Sequence, residues 1–266
     1  MNRVDDSKPS SVHYILGIHP SGRMFATDQQ QIYWSDNRGK SWKKVEQNFY
    51  PSGFFGFSFD SEGRIFTAGS LYESTDLGMS WKSIDRGVEH LRNRFISVTD
   101  SDVLFAGGYI IDTLRSAACV YRSADHGVTW NPTTLGGGTV TSITAQPRAI
   151  VFVSIWGNGL WRSSDNGLSW EKIYYGPRQG DLRFGTIFSD ASGVLYSGVS
   201  YTEGGDPYVP RSTFVESTNG GRTWTTKIEG VKYGWVQTLT QDPKGYLYIL
   251  DMEGNIYRGK IGLKPQ

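Results

Sequence analysis

Ser163-Ser-Asp-Asn-Gly-Leu-Ser-Trp170 is one of five octapeptides of the form Ser-x-Asp/Asn-x-Gly-x-Ser/Thr-Trp in a chain of 266 residues. The others are Ser35 to Trp42 (SDNRGKSW), Ser74 to Trp81 (STDLGMSW), Ser123 to Trp130 (SADHGVTW) and Ser217 to Trp224 (STNGGRTW). A phrase that returns at such intervals marks one supersecondary unit copied along the chain. Between boxes runs a second pattern: apolar strand A, a polar turn, apolar strand B ending in small residues, and a short strand C that leads into the next box. Residues 54 to 81 show it most plainly, with strand A at Phe54 to Phe59, a turn at Asp60-Ser-Glu-Gly63, strand B at Arg64 to Ala68 and strand C at Leu71 to Glu73. Trp81 then opens strand D.

The same grammar gives A–B turns at 19–23, 100–102, 146–149, 190–193 and 242–245, six turns for five boxes. The last unit, Val236 to Ile261, ends where a box would begin. Six four-stranded units set radially predict an all-β, six-bladed propeller in one domain, with five or seven blades left open. The blades fall at about residues 13–50, 51–90, 91–136, 137–178, 179–232 and 233–262. Residues 3–12 are expected to supply the outer strand missing from the last blade, which would leave no exposed edge there.

Composition agrees. Gly 33, Trp 9, Tyr 15 and Phe 13 suit short strands and tight turns, and helical periodicity is absent almost everywhere. A formal net charge of +1 supplies no field to hold nucleic acid or an anionic membrane. One cysteine, Cys119, cannot form an intrachain disulfide, and the four histidines are scattered without zinc-site spacing. No metal and no cofactor is called for. The start, MNRVDDSKPSSVHY, lacks the apolar core of a signal peptide, and no apolar run spans a membrane. A soluble protein without membrane insertion is therefore expected, cytoplasmic if this N-terminus is native and extracytoplasmic if a leader has been removed.

The boxes resemble the Asp-box, or bacterial neuraminidase, repeats of sialidases, sortilin-type receptors, xyloglucanases and a photosystem II assembly factor. That resemblance implies that each box is the turn between strands C and D, and that its acidic residue, glycine and tryptophan hold the turn and pack between blades. Asn37 and Asn219 stand where most boxes have Asp. The resemblance also implies that ligands sit on the opposite face, at the central channel. Strand directions place boxes and A–B turns on one face and B–C and D–A connections on the other.

Spacing points to the same opposite face. Trp42 to Trp81 is 39 residues and Trp130 to Trp170 is 40, but Trp81 to Trp130 is 49 and Trp170 to Trp224 is 54. The extra residues fall in the B–C connections of blades 3 and 5, at Gly108 to Ala117 and Ser200 to Ser212. Long loops that packing does not require are disproportionately functional. Arginine and aromatic residues crowd these connections, a composition typical of interface hot spots. The candidate binding residues are Arg92, Arg94, Tyr109 and Arg115 from blade 3 and Trp156, Tyr175 and Arg178 from blade 4. Blade 5 adds Asp181, Arg183, Tyr201, Glu203, Tyr208 and Arg211, and the entry to blade 6 adds Tyr233 and Trp235.

No residue is assigned a catalytic role. Arg92, Arg94, Arg178, Arg183 and Arg211 could supply a sialidase arginine triad, yet the Arg-Ile-Pro signature of those enzymes is absent. A glycosidase needs two carboxylates at a defined separation, and nothing in the sequence pairs Asp112, Asp181, Glu203 and Asp206. These observations favour a non-catalytic scaffold that presents its loop face to a protein or peptide partner. The alternative is a glycan-binding, sialidase-like or glycoside-hydrolase-like propeller.

Overall fold

The computed structural model describes residues 2–3, 14–27, 31–47, 56–110, 119–156, 158–174, 183–190, 192–202, 210–228, 236–241, 245–251 and 256–260. Every element among them is a β-strand. The strands form six four-stranded antiparallel sheets, five of them made of four consecutive strands. The sixth joins Val236–Gln241, Tyr246–Asp251 and Ile256–Lys260 to Asn2–Arg3, the N-terminal residues lying along the outer edge of the C-terminal sheet with Asn2 opposite Arg258. The fold is a β-propeller. In blade 2 the strands run Phe57–Phe59, Ile65–Thr67, Tyr72–Ser74 and Lys82–Ser83, in sheet order A-B-C-D from the channel outward. Phe54 and Phe55, expected in strand A, lie outside the described residues.

An aromatic ring is the second or third residue of strand B in each blade: Phe25, Phe66, Phe105, Phe152, Tyr196 and Tyr248, none more than 5% exposed. Aromatic side chains bury more apolar area than any others, so this repeated position supplies much of the cohesion between sheets. Serines of the inner strands tie the sheets edge to edge. Val98 N donates to Ser58 Oγ at 3.0 Å, Ala145 N to Ser97 Oγ at 2.9 Å and Ile187 N to Ser142 Oγ at 2.9 Å. The A–B turns are linked in the same way around the ring. His19 Nε2 donates to Gly63 O, Ser61 Oγ to Asp102 Oδ2, Arg148 N to Asp100 Oδ2, and Gln146 Nε2 to Gly193 O, at 2.8–3.0 Å.

The boxes are the C–D turns. In the third, Ser123 Oγ accepts Gly127 N at 2.8 Å and donates to Asp125 Oδ1 at 2.7 Å. Asp125 Oδ1 then takes Thr129 N at 2.9 Å and Oδ2 takes Thr129 Oγ1 at 2.6 Å. The fourth box repeats this with Ser163, Asp165, Gly167 and Ser169. Where Asn replaces Asp the geometry survives with one bond reversed, Asn37 Nδ2 donating to Ser41 Oγ and Asn219 Nδ2 to Thr223 Oγ1, both at 2.7 Å.

Bonds to the charged form hold the Asp125 and Asp165 carboxyls down at about 2, the hydroxyls of Thr129 and Ser169 contributing most. A carboxylate whose folded pKa lies below its unfolded value stabilises the fold above the unfolded pKa, and that contribution disappears as pH falls through the folded one. Thermal melts should therefore fall between about pH 4 and pH 2, and the double variant Asp125→Asn, Asp165→Asn should show a shallower fall. Parallel curves for the two proteins would contradict this role for the boxes.

Candidate functional site

The face away from the boxes is built from the far ends of the inner hairpins. In blade 3 the strands Leu91–Val98 and Leu104–Ile110 bring Arg92 opposite Tyr109, beyond an irregularity between Arg92 and Phe95. In blade 4, Val140 stands opposite Ile155, and Trp156 follows at the B–C turn, its N–H donating to Thr139 O at 2.8 Å. In blade 5, Arg183 pairs with Ser200, and Tyr201 pairs with Arg211 in the next ladder. Both described ends of the long Ser200 to Ser212 connection are thus strand, within Leu195–Thr202 and Pro210–Ser217, with Thr202 opposite Pro210. The blade 3 insertion likewise begins as strand, through Ile110.

The turn that enters blade 3 is anchored by Val88 and Leu91, both fully buried. Arg94 completes that anchor. It is 6% exposed, and it donates from Nε to Leu91 O at 2.9 Å, from Nη1 to Asp85 Oδ2 at 3.2 Å and from Nη2 to Glu89 O at 3.3 Å. Arg94, expected among the exposed candidates, instead sits beneath the face as a clasp, because a buried guanidinium must spend its donors on nearby acceptors. Arg92 remains exposed, with Nη1 donating to Glu89 O at 2.6 Å.

Tyr109 and Trp156 are the two large apolar side chains exposed on this face among the described residues, at 36% and 48%. The sequence signals that found them were an insertion and a composition. His90 is exposed, and its Nε2 lies 2.9 Å from Tyr121 Oη, the rings meeting edge to face at 5.3 Å. Burial pushes the Tyr121 phenol above its ordinary value. Beside the blade 4 turn, Lys172 Nζ donates to Asn158 Oδ1 at 2.9 Å, a contact for which spacing offered no signal. Arg115, Tyr175, Arg178, Asp181, Glu203, Tyr208, Tyr233 and Trp235 lie outside the described residues.

Below this face the channel contains a cavity of about 380 Å³, with Ile18, Ser97, Thr144, Thr186 and Leu239 among its lining residues. None of the described lining residues is ionisable. Several of its hydroxyls already bridge neighbouring blades, so its chemistry is that of a neutral, partly polar shaft. Among the described residues no three His, Cys, Asp or Glu are grouped to hold a metal, and no helix is long and apolar enough to cross a membrane.

Residues 32–45 match the family described as BNR-Asp box repeat. The chain is similar to a xyloglucanase from Paenibacillus sp., 28% identical over 59% of this chain and 17% of that protein. It therefore spans about one sixth of the length of that relative. Among solved structures it is similar to the GH74 enzyme of Niastella koreensis, with TM-score 0.61, 17% identity, and coverage of 94% of this chain and 37% of that one. It is also similar to YCF48 bound to D1 peptide, with TM-score 0.60, 13% identity, and coverage of 98% and 96%. At these identities the structures show a shared fold. Taken with the six sheets, the comparisons establish that the chain is a β-propeller, one of whose turns, within residues 32–45, matches the Asp-box repeat.

Proposed function

We propose that this chain is one rigid propeller domain of six blades that works as a non-catalytic scaffold, presenting the loop face around blades 3 to 5 to a protein or peptide partner. One observation carries the reading: Tyr109 and Trp156 stand exposed on adjacent blades of the face opposite the boxes. Exposed aromatics beside arginine are the usual anchors of protein interfaces, since they give up much hydrated apolar area at small conformational cost. The likeness to a propeller solved with a peptide bound supports the same reading. The remaining candidate residues, Arg115, Tyr175, Arg178, Asp181, Arg183, Glu203, Tyr208, Tyr233 and Trp235 included, would widen this surface toward blades 5 and 6.

The likeness to xyloglucanases favours a second reading, in which Trp156 stacks on a sugar ring of a β-glucan. The two readings separate in one experiment. Immobilised protein and its Arg178→Glu, Arg183→Glu variant are each exposed to an extract of the source organism and, separately, to xyloglucan oligosaccharides. The scaffold reading expects a discrete protein retained by the unaltered chain and lost from the variant, with both melting at the same temperature. Saturable oligosaccharide binding, or its hydrolysis, with no protein retained would replace that reading by the glycan one.

A further inference from the structure

The box face holds a second cavity, of about 600 Å³, where blades 6, 1 and 2 meet. Ile18 and Met24 of blade 1 and Tyr248 of blade 6 contribute apolar surface to it, and Leu77 of the second box forms one wall. Among the described residues the charged groups on its lining are Arg23, Asp36 and Arg38. Two of them cancel. Arg23 donates from Nε and Nη2 to the two Asp36 oxygens at 2.7 and 2.9 Å, and from Nη1 to Leu77 O at 2.9 Å. Its guanidinium also lies over the Trp34 ring, 4.1 Å from the centroid, so it is fixed as part of the wall.

Arg38 is different. It is exposed and makes no hydrogen bond or ion pair with any described residue. It occupies the fourth box position, where the other boxes carry Leu77, His126, Asn166 and Gly220. Blade 1 alone puts an arginine there. In blade 2 the arginine in the place of Arg23, Arg64, is spent on Glu62 and the His126 ring. Among the described residues the cavity thus combines a partly apolar lining with one positive charge, Arg38, that its own acid does not balance.

We propose that this cavity binds the carboxylate end of an apolar chain, with the carboxylate on Arg38 and the chain over Ile18, Met24 and Tyr248. A single guanidinium fork matches a carboxylate through two parallel N–H···O bonds. The cavity volume lies within the ordinary range for small-ligand sites. Two sources present this chemistry, a fatty acid and the free C-terminus of a peptide that ends in an apolar residue. The site lies on the face opposite the scaffold surface and stands independently of it.

Calorimetric titration with decanoate and with N-acetyl-Gly-Gly-Leu tests the site, with decanol and the peptide amide as neutral controls. At least one carboxylate should bind with a Kd below about 1 mM, and its neutral control should not. Binding of decanoate alone would mark a lipid-derived ligand, and binding of the peptide alone a protein terminus. Arg38→Asn should weaken binding at least tenfold, because asparagine accepts the left-handed backbone at this position, φ 60°, and loses the charge. Arg38→Lys keeps the charge but loses the two-bond fork, so it should weaken binding less than Arg38→Asn does, and Trp156→Ala should leave binding unchanged. The proposal is overturned if neither carboxylate binds, if the neutral controls bind as well, or if folded Arg38→Asn binds unchanged.

Discussion

Gly167→Ala should lower the stability of this propeller by about 2–5 kcal/mol, a fall in melting temperature of roughly 5–15 °C. Two costs add. Gly167 has φ 78°, a conformation in which an L side chain crowds its own carbonyl at about 1–2 kcal/mol. A Cβ there would also stand 2.3 Å from Phe105 Cε1 and 2.8 Å from its Cζ. Phe105 is fully buried in the neighbouring blade, edge-on to Trp170 at 6.3 Å, so it cannot swing clear. Overpacking of such a site costs about 1–3 kcal/mol. Gly220→Ala is the control: its φ is 69°, but nothing lies within 4 Å of the added methyl, so only the backbone cost applies. Thermal and urea unfolding measure both, and equal shifts would mean that the box glycine does not press on the adjacent blade.

Phe105→Ala should cost about 3–5 kcal/mol, the range for deleting a buried aromatic ring. The ring shares one apolar cluster with Val151 and Val153 of blade 4, against which Trp170 also packs. Removing it therefore opens the seam between two blades rather than a pocket within one. The two substitutions are coupled through the same space. In a double-mutant cycle, Phe105→Leu should relieve part of the Gly167→Ala penalty by about 0.5–2 kcal/mol. Additive costs would contradict a direct contact between box and ring.

Much of this was legible in the sequence because the repeat is written in local chemistry. Ser123, Asp125, Gly127 and Thr129 bond to one another within a single turn, and such bonds depend on spacing alone. Residues that act across blades were harder to read. Arg94 belongs to an arginine-rich stretch, and only the folded turn shows its donors spent on Asp85, Glu89 and Leu91. The long blade 5 connection read as a loop because polar and glycine residues interrupt its alternation, whereas the ladder carries strand pairing out to Thr202 and Pro210. The cavity beside Arg38 went unmarked, although Asp36 gave a faint signal. Among the second residues of the five boxes it is the one acid, and Arg23 answers it from the A–B turn.

The central claim is a division of labour: boxes hold the blades together, and the face opposite them receives the protein partner. Trp156→Ala tests it most directly, with capture of the retained partner and thermal melting measured on the same preparation. The ring is half exposed at the tip of a turn, so its loss should leave the melting temperature within about 1–2 °C of the unaltered protein. Capture should fall about 30-fold or more, the scale of a central aromatic anchor. A variant that melts normally and captures its partner undiminished would contradict the account.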